Sequence, residues 1–304
     1  MGALLRFRAG SFRVTDRQRT VVRAFCIAVA MSQAVGGFGI FRQLEWAING
    51  WPLPDVRMTY IFLASIAAAI GAPCAWVAWR GEFRALRPMG FELMVGLAAV
   101  GSYLLWLAAD RDHRGLFLFG LAALFFAAIW AGLYWWSNRV PMIDARPLPG
   151  LFRLGLAGLC AILVVLGLAL TFQVENVFPW AISAEISTVI GLIFLSAALL
   201  FGWIVAHPAW AFGETALTSF LAYAAVLAGP YFDLWRNRND LTTVASYYGD
   251  SGYAGGVVGN DVNERNLLVY LLVLAFGASL AIGIYVWGHF RQPATPGPTR
   301  LSES

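Results

Sequence analysis

A chain of 304 residues would ordinarily divide into two soluble domains, but 60% hydrophobic and only 12% charged residues leave too little polar surface to cover them in water. The formal charge of +4 comes from 21 basic residues, all Arg, against 17 acidic ones, and no nucleic-acid partner is expected. Cys26, Cys74 and Cys160 each lie in an apolar run, which argues against a disulfide framework or a zinc cluster. These figures describe an integral membrane protein.

The chain opens with a basic arm, residues 1–22, where Arg6, Arg8, Arg13, Arg17 and Arg19 face only Asp16. It lacks the apolar core of a signal peptide and reads as a cytoplasmic arm suited to anionic headgroups. A helix needs about 20 apolar residues to cross ~30 Å of hydrocarbon. Eight runs qualify: 24–41, 58–79, 89–109, 115–136, 154–172, 181–206, 211–229 and 267–288. Fourteen Arg fall on one side of these runs and seven on the other. The positive-inside rule therefore predicts both termini inside, in the inner membrane of a bacterium. Trp residues gather near the predicted ends, Trp46, Trp51, Trp106, Trp180 and Trp235 outside and Trp76, Trp79, Trp135, Trp136, Trp203, Trp210 and Trp287 inside, as an aromatic belt would.

The halves resemble each other. With Arg23 placed on Arg153, Gly37 meets Gly167, Gln43 meets Gln173 and Glu45 meets Glu175, all at an offset of 130. Ile61–Ser65 resembles Ile193–Ala197, and Gly132–Trp136 resembles Gly283–Trp287 at an offset of 151. The expected architecture is an all-α bundle of two parallel four-helix repeats, 23–140 and 141–290, related by an axis along the membrane normal. A cytoplasmic tail, 291–304, follows. The second repeat carries the long outer loop 231–265.

Ionisable and polar groups within spans are the candidate ligand-binding residues. They are Glu92, Glu185 and Glu214, each near a helix start, and Gln33, which is close to a midplane. An acid in the first turn is stabilised by the helix N-terminus and a mid-span Gln by an interhelical hydrogen bond, so each also has a purely structural explanation. Glu92 and Glu214 fall at the inner face, which admits a shared inner site. His113, His207 and His289 sit at helix ends or in a loop, so a bis-imidazole haem cannot form within the bundle. No metal-ligand spacing, phosphate loop or nucleophile constellation occurs. Neither a cofactor nor polar enzymatic catalysis is expected.

The outer loop is rich in apolar rings, and Trp235, Tyr247, Tyr248 and Tyr253 are its candidate docking residues. The preferred reading is a non-catalytic membrane subunit that docks partner subunits, lipids or pigments. The lack of midplane charge favours it, since ion coupling generally needs such groups. The alternative is a transporter or channel for a small or amphipathic solute. Pseudo-symmetric halves favour transport, while interior proline, the mark of a broken helix, is scarce: Pro73 is the clearest case.

Overall fold

A computed structural model describes residues 14–180, 182–237 and 264–290. It is all-helical, and eight of its helices are long and apolar enough to cross a membrane. They are α1 (Asp16–Phe41), α3 (Arg57–Arg80), α4 (Leu86–Arg111), α5 (Arg114–Ser137), α6 (Gly150–Thr171), α7 (Ala184–Ala206), α8 (Trp210–Arg236) and α9 (Glu264–Phe290). A short α2 (Glu45–Ile48) follows α1, and a 3₁₀ turn (Phe83–Ala85) precedes α4.

Two boundaries differ from the sequence expectation. Helix α1 starts at Asp16, inside the basic arm, because Thr15 and Gln18 form a reciprocal capping box. Helix α8 runs through Pro230 to Arg236 instead of ending at residue 229, so the connection to α9 begins at residue 237. Tyr231 and Leu234 explain the extension: both are fully buried in the core.

Helices pack in the pairs α1–α3, α4–α5, α6–α7 and α8–α9, and the halves meet through α3–α8 and α4–α7. The inner helices are the buried ones. The apolar windows of α3, α7, α8 and α4 are 61, 50, 44 and 33% buried, against 17–28% for α1, α5, α6 and α9. The outer four expose residues such as Phe38, Phe125, Leu154 and Phe276, as lipid-facing surfaces do. Close approach relies on glycine: a Cβ at Gly191 would sit 2.7 Å from the Gly167 carbonyl, where α6 crosses α7.

Loops gather at two ends. At one, beside the start of α3, Asp55 accepts from Val56 N at 2.7 Å and Thr59 Oγ1 at 2.9 Å, and from Ser183 N at 3.3 Å. Trp180 donates its indole N–H to Thr59 at 3.1 Å and is 4% exposed. It is a core ring, as are Trp130 and Trp210, whereas Trp46, Trp79, Trp106 and Trp135 lie open as a belt would. At the arginine-rich end, Arg84 Nη1 donates to the Ser137 carbonyl at 2.9 Å and to that of Asn138. Arg146 is paired with Asp144 at 2.6 Å and lies over the Trp210 ring.

One bond joins the halves inside the hydrocarbon. Pro73 lacks the N–H that would bond the Ala69 carbonyl one turn earlier. Ser219 of α8 donates to that carbonyl at 2.7 Å. Ser219→Ala should therefore lower stability by about 0.5–1.5 kcal/mol in wild type. In a Pro73→Ala background the new N–H takes over the carbonyl and the same change should cost far less. Thermal melting of the four proteins in detergent, read as a double-mutant cycle, checks the coupling.

Candidate functional site

The space the helices leave is a central cavity of about 480 Å³. All eight spanning helices contribute to its wall. Along α4 the lining residues Met89, Glu92, Leu93, Gly96, Val100 and Leu104 form one stripe at helical spacing. From Met89 to Leu104 the stripe covers roughly 22 Å at 1.5 Å per residue. A sphere of this volume would be only about 10 Å across. The cavity lining thus extends along more than half of α4.

Its wall is almost wholly apolar, and the polar atoms on it divide into two kinds. The hydroxyls of Ser196, Thr215 and Ser219 are already engaged as donors to the carbonyls of Ile193, Ala211 and Ala69, at 2.8, 2.7 and 2.7 Å. The Glu92 carboxyl and the Gln33 amide make no hydrogen bond or ion pair with any described residue. Tyr270 likewise lines the cavity with a buried hydroxyl that has no hydrogen-bond partner among the described residues. A buried polar group without a partner costs free energy, and a carboxylate without a counter-charge costs far more. Glu92 and Gln33 are the groups a guest would satisfy.

The end away from the arginines is closed by rings. Phe62 is fully buried and meets Phe178, Trp180, Phe194 and Tyr223 with centroids 5.3, 6.4, 5.7 and 5.9 Å away. Phe194 and Tyr223 also line the cavity, so this cluster forms its ceiling.

The four polar residues singled out from the sequence separate. Gln33 and Glu92 share the cavity. Glu185 is in the first turn of α7 and is bonded to Arg111 at the far end of α4. Glu214 stands off the cavity, in the polar cluster at the arginine-rich end, within electrostatic reach of Arg80, Asp144 and Arg146. The structure thus does not bring Glu92 and Glu214 into one lining. Trp235 is half-buried against the core in the last turn of α8, while Tyr247, Tyr248 and Tyr253 lie outside the described residues. His207 stacks on Trp203 at 4.6 Å, and His113 caps α5. Sequence reasoning missed Tyr223, Tyr270, Ser219 and the Phe62 hub, since rings and hydroxyls in apolar helices look alike at every position.

Comparison of the chain with family models, curated proteins and solved structures finds no match. The cavity has to be read from its own chemistry.

Beside it, Glu82 fixes the segment linking α5 to α6 by accepting from Ile143 N at 2.9 Å and Asp144 N at 3.0 Å. Burial pushes its carboxyl above the usual range and outweighs those two bonds. Burial also works against ionising Asp144, but the Arg146 guanidinium prevails and holds that carboxyl low. For Glu82 the folded state binds the proton more tightly than the unfolded chain. Its contribution to stability is complete at low pH and is lost as pH rises through the raised value. Across roughly pH 4–7 the melting temperature of wild type should fall relative to Glu82→Gln, which cannot titrate. Parallel melting curves for the two would contradict this.

Proposed function

We propose that the chain is a membrane carrier of amphipathic cations: single-chain molecules with an apolar body and a hydrogen-bond-donating, positively charged head. The observation that carries this reading is the Glu92 carboxyl, without a partner among the described residues on the wall of an apolar cavity formed by both halves. A guest cation would supply the missing counter-charge, Gln33 would accept or donate at its side, and the apolar walls would hold the chain. The docking-subunit reading takes second place, because Trp235, its contact residue among the described residues, packs on the core.

Two further parts of the reading concern symmetry and orientation. We take the halves to be parallel repeats. Helices α1 and α6 end in the same motif at an offset of 130. Gln43 and Gln173 are left-handed, at φ 52° and 56°, and Leu44 and Val174 donate back to Gly39 and Ala169 at 2.9 and 2.8 Å. Exchanging the halves also maps the packed pairs onto one another, α3–α8 onto α7–α4 included. The register of the second span is 127–128, since Gly37 faces Ala64 and Ala67 where Gly167 faces Gly191 and Leu195. On that register Ile61–Ser65 and Ile193–Ala197 do not correspond. The arginine-rich end is taken as cytoplasmic. A reporter fused after Ser304 should then be accessible only from the cytoplasm, and one reached only from outside overturns the orientation.

The test of the carrier uses a pyrenyl-alkylguanidinium, a charged amphiphile slow to cross a bare bilayer. In phosphatidylcholine proteoliposomes its binding is followed by energy transfer from protein Trp, and its transfer across the bilayer by an external quencher. Wild type should bind and transfer it. Glu92→Gln should bind at least tenfold more weakly, about 1.4 kcal/mol, and melt no lower than wild type. Equal binding by the two proteins, or no protein-dependent transfer, rejects the proposal.

A further inference from the structure

The geometry points to a lateral entrance: the guest enters the cavity sideways from the bilayer, through the seam between α1 and α5. The inference rests on the carrier reading and adds its route. Helices α1 and α5 do not pack along their length. They are pinned near one end by Phe25 against Trp130, with centroids 5.9 Å apart, and near the other by Trp51 of the following loop against Phe119, at 5.8 Å. Between these two ring pairs the seam is open. Gly36 lies eleven residues, about three turns, beyond Phe25 and so on the same α5-facing stripe, yet a Cβ there would meet nothing within 4 Å.

What faces the gap from α5 belongs to the cavity wall. Ala122 and Phe126 line it, and Phe126 is also 48% exposed. Phe126 is thus the ring that stands between the cavity and the bilayer at this seam. Phe126 stands halfway along α5, so the opening is at the depth of acyl chains and not of headgroups. A molecule arriving there must be dissolved in the bilayer, and Gln33 is the polar side chain with which α1 lines the cavity there.

The corresponding seam in the second half is filled. At the offset of 130, Leu163 and Leu166 stand where Gln33 and Gly36 stand. They pack against the core alongside Leu271 and Leu274 of α9. The entrance is therefore one-sided.

Stopped-flow mixing of proteoliposomes with vesicles carrying the pyrenyl-alkylguanidinium tests this. Gly36→Leu should slow both arrival and departure at least tenfold and leave the equilibrium affinity within twofold, because Gly36 borders the passage and not the cavity. Phe126→Ala, at an exposed position that should not disturb folding, should speed both. Leu271→Phe in the filled seam, off the cavity lining, should change neither rate. Unchanged rates in both α1–α5 variants, while Glu92→Gln still weakens binding, overturn the lateral entrance and leave the carrier standing. No binding to wild type removes the carrier itself.

Discussion

In hydrocarbon every backbone N–H and C=O must find a partner within the protein, and Pro73 breaks that requirement for Ala69. The repair comes from the other half of the molecule, as the Ser219 hydroxyl crosses from α8. A proline that would weaken one helix thereby becomes a point of attachment between two. Ala69, Pro73 and Ser219 all face the cavity, so the same repair fixes one of its walls. On the opposite wall α4 and α7 meet where Gly96 lies against Ser196. Two cross-half contacts at different sides of the axis hold the central helices together while keeping them from closing on each other.

The treatment of polar groups around this space is consistent. The Ser and Thr hydroxyls that line it are tied to backbone carbonyls, and charges at the ends are paired or capped, with Arg111–Glu185 and Asp144–Arg146 as ion pairs at opposite ends. Against that background Glu92 and Gln33, like the Tyr270 hydroxyl and the Trp51 indole N–H, are exceptions on the cavity lining. Their cost is offset by the general stability of the bundle, and a group retained at such a cost is one that a guest would satisfy. The apolar wall increases the effect, because a charge pair formed there is screened far less than in water.

The membrane class, the eight spans and the ends of most helices were legible in the sequence, since a 20-residue apolar run has one physical meaning. Boundaries failed where a local signal was overridden. Pro230 reads as a stop, yet Tyr231 and Leu234 gain more from the core than the helix loses at the proline. Trp180 reads as a belt residue, but the Asp55–Thr59 network beneath it offers its indole a buried partner. Glu92 and Gln33 were visible as candidates; their company was not. Which faces of eight apolar helices turn inward depends on packing, and in lipid the outward face of a helix is as apolar as the inward one.

The halves also differ in a way that bears on how the site arose. Where the first half has Gln33 and Gly36, the second has Leu163 and Leu166. Each of these polar or small groups, which make the cavity chemically distinct on one side, has an apolar or bulky counterpart on the other. If both halves descend from one unit, the second kept the packing and lost the polarity. Divergence of that kind leaves a scaffold of near-symmetric helices around a strictly asymmetric site. An asymmetric site suits an elongated guest with one polar end, which can occupy such a cavity in only one direction.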